Sequence, residues 1–175
     1  PPQGEDMSHS VYEVAGLKNL LTLQGTADEP VRHLIFSGIE FRHAGRTFME
    51  QMEPVLRSDW CIYRGGAVFL EGTEHISFLD CKVLDVGGNG ITISRYNRNT
   101  LIRGCEIADA GANAILLAGD TKAVRSPLFG YESVHEDGKM DLSPGPASAD
   151  YPAKCRVEGN LLCRNGRVEK QSAGV

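Results

Sequence analysis

Apolar residues recur two positions apart through the middle of the chain, which is the period of a β-strand and not of a helix. Between these short runs stand Gly, Asn and Asp, the residues that accept left-handed backbone conformations at least cost. The pattern therefore predicts many short strands joined by tight corners. The apolar pairs are Ile76 and Phe78, Cys81 and Val83, and Ile91 and Ile93.

The same segment occurs twice, because residues 75–91 align with residues 99–115 at a shift of 24 residues. A weaker copy begins at His33 and another begins at Cys155. Self-similarity at such a period is typical of solenoids, in which each unit pairs only with the units before and after it. Aligned positions include Gly45, Gly87, Gly111 and Gly166.

Three strands per unit and a return after about two dozen residues predict an all-β fold, a parallel β-helix of about four coils. The competing solenoid is the leucine-rich repeat, which needs a spaced leucine ladder and a helical or 3₁₀ segment in each unit. The inward positions instead mix Ile, Val, Phe and Cys, and no unit shows helical spacing. We therefore favour the β-helix.

Two columns of the alignment hold small polar or sulfur-bearing side chains. Strands of neighbouring coils lie about 4.8 Å apart, so such side chains can link one coil to the next. Asparagine would bond the backbone of its corner, and cysteine would behave as a small hydrophobic residue. We predict a structural ladder at Cys81, Cys105 and Asn160 and another at Asn89 and Asn113.

Two insertions interrupt the repeat, at about 46–64 and 119–152. Long loops in a compact domain are usually functional or disordered. We treat 1–175 as one partial β-helix domain, truncated at the C-terminus, because Val175 stands where aligned segments begin a strand. The first insertion contains Asp59 and Trp60, and an aromatic ring beside a carboxylate is typical of a carbohydrate site. The alternative is that Trp60 only anchors the loop.

One further column could carry catalysis. Asp85 and Asp109 precede aligned glycines by two residues, so adjacent coils could bring their carboxylates to about 5 Å, near the spacing of a retaining glycosidase pair. Two like charges so close would raise one pKa and give an acid and a base. The alternative is that each aspartate accepts backbone N–H bonds at its own corner. His43 and Arg164 occupy the same column.

Other polar side chains are candidates for binding substrate. Glu71 and Asp120 follow equivalent strands, so we expect them near the same edge of the solenoid. For each, a solvated charge in a loop is the alternative. The remaining candidates for binding substrate are His43, Tyr96, Lys122 and Arg164.

Charge and motifs exclude several functions. The net charge is -5, and no Lys/Arg stripe indicates a nucleic-acid surface. No apolar run reaches the length of a membrane span. A nucleophile elbow, a phosphate loop and metal-ligand spacings such as HExxH are missing from the sequence, so we predict no metal and no cofactor. The five cysteines give no basis for a disulfide.

Several segments together resemble bacterial right-handed β-helix proteins of glycoside hydrolase family 141. The resemblance implies a pectate-lyase-like, right-handed solenoid and a secreted or periplasmic enzyme that acts on plant cell-wall glycans, with fucosidase and xylanase activities in the family. It implies no position for the catalytic carboxylates in this sequence. The segments are SGIEFRH (37–43), LRSDW (56–60), YRGGAVFLEG (63–72), VGGNGI (86–91), YPAKC (151–155) and GRVEKQ (166–171).

Three functions remain open from the sequence. The first is part of a glycoside hydrolase that uses carboxylate acid/base chemistry on a polysaccharide or oligosaccharide. The second is a polysaccharide lyase, which the acidic balance and the lack of a basic groove disfavour. The third is a noncatalytic glycan-binding or structural solenoid, because a fold alone does not confer activity. The sequence does not indicate an oligomeric state.

Overall fold

Short β-strands are the main secondary structure of the described chain. In this computed structural model the described residues are 7–9, 11, 14–55, 61–126 and 137–175. Short 3₁₀ helices lie at Met7–His9, Thr121–Ala123 and Asp137–Lys139. The strands are β1 (Leu21–Gln24), β2 (Val31–Arg32), β3 (Ile35–Ser37), β4 (Glu40–Arg42), β5 (Glu53–Pro54), β6 (Cys61–Ile62), β7 (Val68–Glu74), β8 (Ser77–Leu79), β9 (Lys82–Leu84), β10 (Ile91–Arg98), β11 (Leu101–Arg103), β12 (Glu106–Ala108), β13 (Ile115–Ala118), β14 (Pro152–Ala153), β15 (Arg156–Glu158) and β16 (Leu161–Cys163).

Three sheets contain all of these strands except β5 and β6. Sheet A has the order β1-β7-β10-β13, with β2 paired to β7 and β14 paired to β10. Sheet B has the order β15-β11-β8-β3, and sheet C has the order β16-β12-β9-β4. Every strand pair in the three sheets is parallel. The chain passes from A to B to C and back to A each time, which is compatible with a solenoid.

In the central strands, residues that are 24 positions apart in the sequence pair with each other, as the repeat predicts. Ser77 pairs with Leu101, and Ile91 pairs with Ile115. The all-β prediction and its parallel strands are confirmed. Strand β1 was not predicted from the sequence, although Leu21 pairs with Val68 in sheet A.

Residues from all three sheets form one hydrophobic core. The inward positions of the central strands are almost fully buried, as in Leu70, Phe78 and Ile107. The rings of Phe36 and Phe78 stack with centroids 5.0 Å apart, so the core continues from layer to layer. Burial of each such side chain contributes roughly 1.5–3 kcal/mol, which makes this core the main source of stability.

The corners share one backbone conformation. The residue immediately after each of twelve strands in sheets A, B and C has a positive φ, between 51° and 67°. Glycine, asparagine and aspartate adopt this left-handed conformation most readily, which explains their recurrence in the sequence. The twelve residues are His33, His75, Asn99 and Lys154 after sheet A, Gly38, Asp80, Gly104 and Gly159 after sheet B, and His43, Asp85, Asp109 and Arg164 after sheet C.

The aligned glycines lie where successive layers approach each other closely. A Cβ atom on Gly111 would come within 2.2 Å of the carbonyl oxygen of Gly87. A Cβ atom on Gly87 would come within 2.6 Å of the backbone of Gly45. No side chain fits at these distances, so the glycine column reflects the spacing of the layers.

Asparagine side chains link the layers at the corner that leads back to sheet A. Oδ1 of Asn89 accepts hydrogen bonds from N (3.1 Å) and Nδ2 (2.9 Å) of Asn113. Nδ2 of Asn89 donates to the carbonyl oxygens of Tyr63 and Gly65, each at 2.9 Å. Oδ1 of Asn113 accepts from N of Ala173 at 2.8 Å. The asparagines therefore satisfy backbone groups in consecutive layers.

The column of Cys81, Cys105 and Asn160 lies between sheets B and C. Both cysteines are buried, and their thiols donate to backbone carbonyls of the preceding layers. Oδ1 of Asn160 accepts from N of Cys105 at 2.8 Å, and its Nδ2 donates to the carbonyl of Ile102 at 2.9 Å. The side chains in this column thus pair with backbone groups of neighbouring layers.

Glu169 lies half-buried beside Thr47, and burial raises the pKa of its carboxyl above the ordinary value of 4.5. Oε1 of Glu169 and Oγ1 of Thr47 are both buried and have no hydrogen-bond partner of ordinary geometry. The Thr47 hydroxyl is nevertheless close enough to offset part of the rise in the pKa of Glu169. The net change in this pKa is upward because burial is the larger influence.

Replacing Glu169 by glutamine should make the protein less sensitive to rising pH. The raised pKa means that the folded state holds the proton more tightly than the unfolded state does. Stability from this proton is fully present below pH 4.5 and is lost as the pH rises through the raised value of the folded state. We expect the unfolding midpoint of Glu169→Gln to fall less than that of wild type as the pH rises over this range. Glu29→Gln, at an exposed position, is the control, and identical curves for Glu169→Gln and wild type would contradict the prediction.

Candidate functional site

The outward face of sheet A and the hairpin of the first insertion together form a groove. Strands β5 and β6 pair antiparallel beside this face. Outward positions of sheet A align across the strands, so Thr22 pairs with Phe69, and Glu71 pairs with Ser94. We call the resulting cavity of about 450 Å³ the sheet A groove; its lining residues are Asn19, Thr22, Gln51, Glu53, Tyr63, Arg64, Gly65 and Phe69.

The groove combines aromatic rings with small polar side chains. Phe69 and Tyr63 are both partly exposed. Amide and hydroxyl groups of Gln51, Asn19 and Thr22 line the same cavity. An aromatic face can pack against an apolar patch of a ligand while amides and hydroxyls supply hydrogen bonds. This combination suits a ligand with both kinds of surface.

Arg64 joins the hairpin, sheet A and the start of the second insertion. Its Nε donates to Oε2 of Glu53 at 2.7 Å, and its Nη2 donates to Oε1 of the same carboxylate. Nη1 donates to Oγ of Ser94 (3.3 Å) and to the carbonyl of Ala118 (3.0 Å), and Nη2 donates to the carbonyl of Gly119 (3.0 Å). These bonds engage all five N–H groups of the guanidinium.

Arg64 also determines the ionisation of its partner. The hydrogen bonds from the guanidinium lower the pKa of the Glu53 carboxyl and outweigh the effect of its partial burial. Glu53 is therefore an anion at neutral pH. The Glu53–Arg64 pair is a fixed wall of the groove with no net charge.

Arg95 brings Glu71 and Asp120 together, as the sequence predicts for these two residues at one edge. Nε of Arg95 donates to Oδ2 of Asp120 at 2.8 Å, and its Nη1 lies 3.1 Å from Oε1 of Glu71. Oγ of Ser94 donates to Oε2 of Glu71 at 2.7 Å. Since Ser94 also accepts from Arg64, the Arg64 and Arg95 networks are continuous.

The second insertion begins with a capped 3₁₀ turn that fixes Asp120. Oδ1 of Asp120 accepts from N of Lys122 at 2.9 Å, while the Lys122 side chain is exposed. This backbone bond lowers the pKa of Asp120, and Arg95 lowers it further, against the opposite effect of burial. Asp120 is therefore suited to act as an anion and not as a proton donor.

Asp85 and Asp109 are each paired with arginine. Nη2 of Arg42 donates to Oδ2 of Asp85 at 2.9 Å. Arg164 binds both oxygens of Asp109, and Nη1 of Arg167 donates to Oδ1 of Asp109 at 3.0 Å. The pKa of Asp109 is lowered, chiefly by Arg164, which is the direction opposite to that expected for the acid of a like-charge pair.

Asp85 and Asp109 adopt the left-handed backbone conformation that the corner residues share. Both follow a strand of sheet C with positive φ, as His43 and Arg164 do. The left-handed backbone and the arginine partners favour a structural role at the corners, although the partners are arginines and not the predicted backbone N–H groups. A catalytic role for the pair stays a prediction.

Tyr96 lies within a register shift of β10, between Ser94 and Asn97, and is not among the residues that line the groove. Its hydroxyl donates to Oε1 of Glu74 at 2.5 Å, which raises the pKa of Tyr96 and lowers that of Glu74. The guanidinium of Arg98 stacks on its ring, 4.3 Å from the centroid. The predicted residues Asp59 and Trp60 lie outside the described residues.

Four residues that line the groove were not predicted from the sequence: Gln51, Tyr63, Arg64 and Phe69. The available signal was the strand period at Phe69, which stands between the inward Val68 and Leu70 and must point outward. Within the described ranges, no cluster of three or more His, Cys, Asp or Glu side chains could hold a metal ion. None of the described helices is long and apolar enough to cross a membrane.

The fold of this chain is similar to that of a protein of known structure. The chain is similar to the solved structure of a protein described as "Glycoside hydrolase", with a TM-score of 0.63 and 20% sequence identity. The similarity covers 89% of this chain and 28% of that one, so the chain spans less than a third of its length. At this identity the two share a glycoside hydrolase-like fold. No protein-family model and no curated protein matches the sequence.

Proposed function

We propose that the chain is a carbohydrate-active segment of a right-handed parallel β-helix with about four coils, and that the sheet A groove binds a glycan. The observation that carries this proposal is the groove itself, where Phe69 and Tyr63 lie among amide, hydroxyl and carboxylate groups. Sugar rings present apolar C–H faces as well as hydroxyls, so they match a site that offers both kinds of contact. The glycoside hydrolase-like fold supports the same proposal.

The chemistry we propose is glycoside hydrolysis with carboxylates beside the groove. Glu71 and Asp120 converge on Arg95, which holds both oxygens of one carboxylate and one oxygen of the other. An anionic carboxylate at this place could activate water or stabilise positive charge at the anomeric carbon. The carboxyl of Glu169 has a raised pKa, but it does not line the groove. Asp120, whose pKa is lowered, would supply the anionic member of a catalytic pair, with Glu71 beside it.

The groove favours hydrolysis over β-elimination on uronates. Arg64 is the one cation among the residues that line this cavity, and all five of its N–H groups already have acceptors. A uronate carboxylate would find no free cation there, and burial of an unpaired charge is costly. A noncatalytic glycan-binding solenoid is the alternative that the same groove supports.

A substrate screen distinguishes these functions. The chain is incubated with fucosylated oligosaccharides, xylan fragments and oligouronates, with and without chelator. We expect new reducing ends from neutral glycans and none from oligouronates. Unsaturated products from oligouronates would identify a lyase, and binding without turnover would identify a noncatalytic module. If none of these glycans binds or reacts, the proposed function is wrong.

Glu71→Gln and Asp120→Asn should each reduce hydrolysis, by roughly 10²–10⁴-fold if the residue is the catalytic carboxylate. Both replacements keep the side chain's shape and can still accept a hydrogen bond from Arg95. Glu106→Gln, on the outward face of sheet C, is the matched control and should keep full activity. Unchanged rates in both site variants, with unfolding midpoints equal to wild type, would remove these residues from the mechanism.

A further inference from the structure

Strand β10 contains a bulge in the middle of sheet A. Ser94 pairs with Glu71, and Asn97 pairs with Thr73. Three steps along β10 therefore lie opposite two steps along β7. The bulge is not at a sheet edge, because Asn97 also pairs with Pro152 of β14 on its other side. A bulge takes one residue out of the ladder and redirects its side chain, and bulges are common next to active sites.

Arg95 adopts an unusual backbone conformation in this bulge. Its φ is 53°, and among the described residues with left-handed backbone only Arg95 and Gly72 lie inside a strand. Glycine adopts this conformation without steric cost, whereas arginine does not. Strain of this kind persists only where the surrounding structure enforces it, and it is frequent at functional sites. The side chain of Arg95 consequently leaves the sheet and reaches both Glu71 and Asp120.

A buried amide beneath the bulge holds this conformation. The side chain of Asn97 is fully buried, and its Nδ2 donates to the carbonyl of Ser94 at 2.6 Å. Oδ1 of Asn97 accepts from Oγ1 of Thr73, which is also fully buried, at 2.6 Å. The carbonyl of Ser94 belongs to the peptide group that precedes Arg95, so the bond from Asn97 fixes the plane of that group. Loss of the amide would leave buried polar groups without partners.

We propose that Asn97 is a positioning residue for the carboxylates beside the groove, a role that rests on the proposed function. Its amide holds the bulge of β10, and the bulge directs Arg95 to Glu71 and Asp120. Ser94, whose carbonyl Asn97 binds, also donates through its Oγ to Glu71 at 2.7 Å. One buried side chain therefore orients two donors to Glu71, although Asn97 itself does not line the groove. Functional side chains need such support to keep a productive geometry.

The test compares three variants of the full chain. Asn97→Leu removes the amide and keeps a similar size, and Thr73→Val removes only the hydroxyl that donates to it. Thr100→Val is the matched control, because Thr100 is 1% exposed and its hydroxyl has no hydrogen-bond partner within the described ranges. NMR measures the chemical shift of the Arg95 Nε–H group and the titration of the Asp120 carboxyl. Kinetics measure kcat and KM on a neutral glycan that wild type hydrolyses.

In Asn97→Leu we expect the Arg95 signal to move and the pKa of Asp120 to rise part of the way to its ordinary value of 3.8. The backbone bond from Lys122 still lowers this pKa, but the contribution of Arg95 is lost. We expect kcat to fall roughly 10-fold to 100-fold, with KM changed by less than about twofold, because the carboxylates are misplaced and the groove is intact. Thr73→Val should change the same quantities in the same direction but less, and Thr100→Val should change none of them.

An unmoved Arg95 signal and an unchanged Asp120 titration in the folded site variants would overturn the positioning role. Changes of equal size in Thr100→Val would also overturn it. If Asn97→Leu does not fold, Thr73→Val decides between these results. The two NMR measurements need no substrate, so an inactive wild type would count against the proposed function while NMR still decides whether Asn97 positions Arg95.

Discussion

Replacing Arg64 by methionine should lower the free energy of unfolding by about 1–3 kcal/mol, the typical effect of removing the donor from partly buried acceptors. The Arg64 side chain is 16% exposed, and that of its partner Glu53 is 38% exposed. The substitution leaves the Glu53 carboxylate and the carbonyls of Ala118 and Gly119 without their donor. Chemical denaturation with a single-transition fit measures the change.

Arg42→Met is the matched control, since its ion pair with Asp85 lies on an exposed face. Exposed ion pairs contribute little to stability, so the unfolding midpoint should stay that of wild type. Equal destabilisation by the two substitutions would show that Arg64 does not join the hairpin to sheet A. A second substitution, Glu53→Gln, should weaken the protein less than Arg64→Met, because the bonds of Arg64 to the two carbonyls remain.

Replacing Asn89 by leucine should cost about 2–4 kcal/mol, through the loss of a buried side chain that serves backbone groups in consecutive layers. Asn89 is 2% exposed, and leucine has a similar size without the polar atoms. The carbonyl of Tyr63 and the backbone N of Asn113 lose their partners. Because Tyr63 and Gly65 line the groove, glycan binding should weaken as well.

Asn113→Leu provides the comparison for this ladder. Asn113 is only partly buried, and its side chain bonds to Asn89 and to N of Ala173. We expect a smaller loss of stability than for Asn89→Leu and no change in glycan binding. The opposite ranking of the two variants would mean that the ladder does not support the groove.

The repeat could be predicted from the sequence because its causes are local. A left-handed corner selects residues such as Asp85 and Asn99, and a close approach of backbones selects Gly87 and Gly111. These preferences recur every 24 residues in the central units and align the strands. The strand β1 was missed because the segment between Gln24 and His33 does not follow the spacing of the later units.

The groove could not be predicted in the same way, because its residues meet only through the fold of the hairpin on sheet A. Gln51 and Phe69 are distant in sequence from Thr22, and no spacing rule relates them. The partners of Asp85 and Asp109 are similarly remote, since Arg42 and Arg164 come from neighbouring layers. The expectation of a like-charge pair left out Arg42, and it placed Arg164 in the same column without pairing it with Asp109.

The central claim is that the outward face of sheet A is the glycan-binding surface, and an NMR titration of the chain with neutral xylo-oligosaccharides tests it most directly. We predict chemical-shift changes at the amides of Gln51, Tyr63, Gly65 and Phe69, and their loss in Phe69→Ala. Ile35→Ala, at an exposed position of sheet B, should leave the titration unchanged. Shift changes confined to sheets B and C, or a Phe69→Ala variant that binds like wild type, would contradict the claim.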